Sequence, residues 1–126
     1  MALQISVLRK EDESVVILKL QGDLDTETYN LLIEKGKQLL AKPVTGLILD
    51  LESLDYISSM GISAIMMVRK LFEEKSASFV MVNIPAPIDQ VFQTVKALPD
   101  VKIFESMEEA DSYFAEIQRR AKESSR

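Results

Sequence analysis

Ser58 and Ser59 stand side by side in Leu54-Asp55-Tyr56-Ile57-Ser58-Ser59-Met60-Gly61-Ile62, where an apolar run gives way to a helical pattern. Hydroxyls in that setting can cap the helix by accepting a backbone N–H, attack an electrophile, or carry a phosphate added by another enzyme. Two acidic groups accompany them: Asp23 and Asp25 in Asp23-Leu24-Asp25-Thr26, and the trio Asp50, Glu52 and Asp55. The 126 residues include no histidine and no cysteine. Imidazole acid–base chemistry, thiolate nucleophiles, disulfides and His/Cys zinc sites are therefore excluded. Carboxylates, hydroxyls and amines remain.

Nucleophilic catalysis by either serine lacks a general base within this inventory, and the pair has no Ser-x-x-Lys spacing that would supply a lysine instead. Asp23-Leu24-Asp25-Thr26 fits the DxDxT pattern of the haloacid-dehalogenase-like phosphatases, with one aspartate as nucleophile. That match spans four residues, and it follows the second strand of a hairpin rather than opening a larger parallel-sheet domain. Asp50 at the end of an apolar strand is similar to the phosphoacceptor of a response-regulator receiver. A receiver, however, begins with a strand that ends in an acidic pair, and the first strand here ends in Arg9-Lys10. Asp50, Glu52 and Asp55 read more simply as solvated acids than as a metal site, so no metal and no cofactor are expected.

The formal net charge of −5, with basic residues scattered along the chain, argues against a nucleic-acid partner, which needs clustered Lys and Arg. The N-terminal segment alternates, Leu3-Gln4-Ile5-Ser6-Val7, and no apolar stretch approaches the ~18 residues of a spanning helix. The expectation is a cytoplasmic protein with no membrane contact and no enzymatic activity. Of the methionines, Met66 and Met81 fall on positions expected in the core, whereas Met60 and Met67 fall on other faces and suit an interface. Arg69-Lys70 and Glu73-Glu74-Lys75 read as a solvated helix face.

The elements that must position the serine pair follow from periodicity and punctuation. Residues 3–8 and 14–20 predict an antiparallel hairpin turning through Lys10-Glu11-Asp12-Glu13. Gly22-Asp23-Leu24-Asp25 breaks the second strand, and Asp25 or Thr26 caps a helix bearing Tyr29, Leu32, Ile33, Leu39 and Leu40. Pro43 and Gly46 mark the return into an apolar strand from Leu47 to Leu51, followed by a tight acidic loop to the serines. A second helix carries Ile62, Ile65, Met66, Val68 and Phe72 and ends near Glu74. A strand at 79–82, a helix from Ile88 to about Ala97, a strand at 101–104 and a helix from Met107 to about Arg120 complete the chain. Ser106 caps the last helix, with Glu109 three residues later. The fold class is α/β: one domain over residues 1–121, a hairpin followed by βαβ units in a mixed sheet covered by about four helices, and a tail, 122–126, that frays.

Two blocks bear a family likeness. Leu20-Gln21-Gly22-Asp23-Leu24-Asp25-Thr26 is similar to the strand-end turn before the first helix of the STAS domain of bacterial anti-sigma factor antagonists. Leu49-Asp50-Leu51 with Leu54-Asp55-Tyr56-Ile57-Ser58-Ser59-Met60-Gly61-Ile62 resembles that family's phosphorylation loop, and the β-β-α-β-α order matches. The resemblance implies a STAS-like fold and a partner switch. Such a domain binds a serine-kinase anti-sigma factor when unphosphorylated, lets go when that kinase phosphorylates it, and is reset by a PP2C-like phosphatase. Carried over, Ser59 falls on the phosphoserine, with Ser58 as the alternative acceptor, and Gly61 falls on the glycine expected to keep the loop open to the partner. Ser58 takes the position of an aspartate, and Met60 that of a small hydroxyl residue. The implied partner-binding residues are Asp23, Asp25, Asp55, Ser58, Ser59, Met60, Gly61 and Ile62. Other readings are a STAS scaffold that is never phosphorylated and, third, a small phosphatase built on Asp23 and Asp25.

Overall fold

The computed structural model describes residues 2–9, 14–95 and 101–124. Its elements run β1 (Leu3–Arg9), β2 (Val15–Leu24), α1 (Tyr29–Leu39), β3 (Gly46–Ile57), α2 (Ser59–Glu74), β4 (Ser78–Val82), α3 (Ala86–Val95), β5 (Lys102–Phe104) and α4 (Met107–Ser124). The sheet order is β1-β2-β3-β4-β5, with β1 antiparallel to β2 and every other pair parallel. This is the mixed sheet of the expected α/β class. The hairpin turn at Lys10–Glu13 and the third helix's expected end at Ala97 lie outside the described residues.

Alternation along the strands decides which helix covers which face. Leu18, Leu20, Leu47, Leu49, Leu51 and Met81 point to one side, where they pack with Leu32 and Leu39 of α1, Ile65 and Phe72 of α2, and Ile88 and Phe92 of α3. Their neighbours Val15, Ile17, Ile48, Val80 and Val82 point to the other, where Ala110 and Phe114 of α4 cover them. A central strand covered on both faces is mostly apolar, and β3 is buried at every residue from Gly46 to Leu51, with Asp50 its one charged member. Each fully buried Leu or Ile there contributes about 1.5–3 kcal/mol, which makes β3 the rigid axis of the molecule.

Two strands run further than their sequence suggests. The second strand does not break at Gly22. That residue has φ +108, and a Cβ there would collide with the carbonyl of Ala2, whose oxygen accepts the Asp23 amide at 3.1 Å. Glycine thus keeps the strand going through a distortion that a side chain would block. Likewise β3 does not stop at Leu51, and the acidic loop expected before the serines is strand up to Ile57. Lys19 and Gln21 pair with Asp50 and Ser53, and Gly22 and Asp23 with Leu54 and Tyr56, so β3 carries one extra residue in each interval. Each bulge reverses the alternation, which is how Leu51, Leu54 and Ile57, three apart, all face the same core.

Other boundaries shift by a few residues. Neither Asp25 nor Thr26 is the N-cap of α1; Thr28 is, because residues 25–28 first close a turn. Leu40 is the C-cap of that helix rather than part of it. α3 begins at Ala86 rather than Ile88, since Pro87 in the first turn lacks only a hydrogen bond that no acceptor awaits. The tail expected to fray from Lys122 is helical as far as Ser124. Ser106 does cap α4, its Oγ accepting the Glu109 amide at 3.3 Å while Glu109 accepts the Glu105 amide at 3.3 Å.

Candidate functional site

The two serines divide their work at the junction of β3 and α2. Ser58 is the N-cap, extended at φ −99 and ψ 174, and its Oγ accepts the amide of Gly61 at 3.2 Å. Its own amide donates to the carbonyl of Leu24 at 3.0 Å, and its carbonyl accepts the Ile62 amide at 3.0 Å. Ser59 is the first helical residue and is exposed. The amides of Ser59 and Met60 occupy positions that have no intrahelical acceptor, and the helix presents about half a positive charge at this end. A hydroxyl is therefore held outward where added negative charge is tolerated.

Gly61 does not serve the opening role expected of it. It is buried, and a Cβ would lie inside contact distance of the Leu24 carbonyl and 2.9 Å from Cγ1 of Ile57. The end of β2 packs so closely against the first turn of α2 that only glycine fits. A bulky residue here would therefore harm stability directly. Ile62 is buried as well, at 5 % exposure, so it supports the helix more than it presents a surface.

The acids do not form one cluster. Asp23 is buried, and its carbonyl accepts the Thr28 hydroxyl at 2.7 Å. Asp25 Oδ1 accepts the amides of Glu27 at 2.9 Å and Thr28 at 3.1 Å; the Glu27 hydrogen bond foremost holds its carboxyl below the usual carboxylate range. Thr28 Oγ1 in turn accepts the Asp25 amide at 2.9 Å. The aspartates that resembled a phosphatase motif thus build the turn into α1. Asp55 is exposed four residues before Ser59. Asp50, read from the sequence as a solvated acid, is instead buried further back in β3, its Oδ1 accepting from the Glu52 amide at 3.0 Å and Asn83 Nδ2 at 3.2 Å. At ~3.3 Å per residue, Asp50 lies roughly 20 Å along the strand from Ile57, too far to face a group on Ser59. Among the described residues, no three acids lie close enough together to hold a metal ion.

A groove of about 590 Å³ runs down α2 from Ser59. Ile62, Ser63, Met66, Met67, Arg69, Lys70 and Glu73 line it. Met60 and Met67 are exposed, at 37 % and 49 %, whereas Met81 is fully buried. Met66, expected in the core, packs against its edge while partly buried, and its other side lines the groove. Lys70 and Arg69, which read as a solvated face, belong to this groove, and Thr28 was not singled out at all. The recurrence of Ser59, Ser63, Met66 and Lys70 at spacings of four, three and four was the available signal.

Comparison with known proteins places these features in a family. The family model described as the STAS domain matches residues 6–110. Among solved structures, an anti-sigma factor antagonist from Mycobacterium paratuberculosis superposes with a TM-score of 0.77 at 14% identity, over 89% of this chain and 93% of that one. The Bacillus cell-fate determinant SpoIIAA in its phosphorylated form gives 0.65 at 21% identity, over 90% and 99%. A murine solute-carrier anion transporter gives 0.71 at 19% identity, over 79% of this chain but 17% of the transporter. At such identities the likeness shows the shared fold. No match was found among curated proteins. Among the described residues, no helix is long and apolar enough to cross a membrane.

Proposed function

The chain belongs to the STAS domain family, and from that premise we propose that it is an anti-sigma factor antagonist switched by phosphorylation of Ser59. Unphosphorylated, it binds a serine-kinase anti-sigma factor in the cytoplasm; phosphorylated by that kinase it dissociates, and a PP2C-like phosphatase restores it. The chain itself performs no catalytic step in this scheme.

One observation carries the reading. Ser58 is consumed as the N-cap by the Gly61 amide, which leaves the exposed Ser59 hydroxyl as the one presented to an outside enzyme. In the transfer, the γ-phosphoryl of ATP moves to Ser59 Oγ, the hydroxyl proton is released and ADP leaves. The product carries about −1.5 to −2 charge at a helix N-terminus, which the dipole and orphan amides accommodate without unfolding α2. Its effect falls on the partner, whose surface is shaped for a neutral hydroxyl beside the exposed Asp55 and the half-exposed Asp25.

The test is binding to the serine kinase by calorimetry. Ser59→Ala should bind constitutively in the presence of ATP, and Ser59→Asp should bind more weakly than wild type. Equal affinity of the two variants would count against the switch.

A second reading is favoured by Met60, a bulky, exposed side chain directly after the acceptor. It is a STAS scaffold that is never phosphorylated, as a domain attached to other machinery would be. Failure of every serine kinase encoded near the gene to modify the chain would favour it. A phosphatase on Asp23 and Asp25 has the least support, since one is buried and the other is engaged in its own turn.

A further inference from the structure

Around α2, the residues that turn away from the core form a continuous stripe. Gly61, Ala64, Ile65, Val68 and Phe72 face the interior, Met66 lies between the edge of that core and the groove, and Ser59, Met67 and Lys70 line the groove on the outer side. From Ser59 to Lys70 the stripe is about 16 Å long at ~1.5 Å per residue, three turns of helix. Its rows repeat every three and four residues, which is the ridge pattern that another helix fills.

The stripe is also electrically polar along its length. Ser59 heads it, four residues after the exposed Asp55, and Arg69, Lys70 and the single acid Glu73 stand at the other end. Arg69 is only 17 % exposed and is tied to Glu73 at 3.3 Å. Lys70 is exposed and, among the described residues, makes no ion pair. On a chain of net charge −5, this end of the groove is where a partner's acidic side chain meets attraction rather than repulsion.

We infer that the groove on α2 docks an amphipathic helix of the partner, whose apolar seam lies on Met66 and Met67 and whose acidic side chain pairs with Lys70. This rests on the partner-switching reading and adds the kind of surface the partner offers. The charge polarity fixes the direction of the bound helix: its acidic end sits on Lys70, about three turns from the hydroxyl of Ser59. A phosphate on Ser59 and the pairing at Lys70 therefore act at opposite ends of one surface, so their effects on binding should be separable.

The probe is the cognate serine-kinase anti-sigma factor, titrated against the full chain at several salt concentrations. Lys70→Glu should weaken binding by about tenfold or more, as charge reversal at a close ion pair does, and Lys70→Met should flatten the salt dependence. Met67→Glu should weaken binding at every salt concentration. Both positions are exposed side chains, so circular dichroism should show unchanged folding in all three variants. If Ser59→Asp weakens binding while Lys70→Glu and Met67→Glu bind as wild type, the groove proposal is overturned and the switch survives. If the wild-type chain binds no serine kinase, both fall together.

Discussion

Gly61 packs against the carbonyl of Leu24, the same carbonyl that accepts the amide of Ser58 at 3.0 Å. The last peptide of β2 therefore fixes both the cap of α2 and the depth at which the helix sits. Ser59 is presented outward because Ser58 and Gly61 on either side of Met60 are held inward.

The first prediction concerns that contact. Gly61→Ala should destabilise the fold by about 1–3 kcal/mol, the usual range for forcing a group into a packed site. Gly61→Val should do so further. Chemical denaturation reads the effect. A Gly61→Ala protein as stable as wild type but defective in partner binding would restore the open-loop role this geometry denies.

The two serines should also separate in stability. Ser58→Ala removes a cap and should cost about 1 kcal/mol. Ser59→Ala, at an exposed position, should stay within about 0.5 kcal/mol of wild type. Denaturant midpoints of the two variants compare them directly, and the reverse order would mean that the cap has been assigned to the wrong residue.

Thr28 ties the acidic turn together from a buried position, donating to the Asp23 carbonyl at 2.7 Å and accepting the Asp25 amide at 2.9 Å. Thr28→Val keeps the shape and leaves both groups without that partner, so a loss of about 1–3 kcal/mol is expected. Thermal unfolding measures it, and an unchanged melting temperature would contradict the hydroxyl's role.

Asp25 makes this turn sensitive to acid. Its folded pKa lies below 3.8, chiefly because its carboxylate accepts the Glu27 amide. A group whose pKa is depressed on folding stabilises the fold above its unfolded value, and that contribution is lost as pH falls through the folded one. Stability should therefore decline below about pH 4 in wild type, and Asp25→Asn should show a shallower decline there. Acid titrations followed by circular dichroism should diverge in that window, and parallel curves would count against the assignment.

Much of the fold was legible because apolar alternation and helical spacing are strong in this chain. Val16, Leu18, Leu47 and Leu49 announce the sheet, and Ile65, Val68 and Phe72 announce the buried side of α2. The stretch between Leu51 and Ile57 read as a loop for a physical reason. Two bulges reset the strand's period, and Leu51, Leu54 and Ile57 three apart imitate no regular β pattern. Gly22 and Gly61 misled in complementary ways, since sequence shows that a residue lacks a side chain without showing what stands in the vacant space. The groove was half visible: Met60 and Met67 suggested an interface, while Lys70 read as solvated because its lack of an ion pair among the described residues depends on where Glu73 turns.

The central claim is that Ser58 is structural and Ser59 is the acceptor. Mass-spectrometric mapping after incubation with ATP and the cognate serine kinase tests it most directly, with Ser58→Ala and Ser59→Ala alongside the wild-type chain. Phosphate on Ser59 in wild type, retained in Ser58→Ala and absent from Ser59→Ala, is the predicted result. Phosphate on Ser58 alone, or on neither serine, would contradict it.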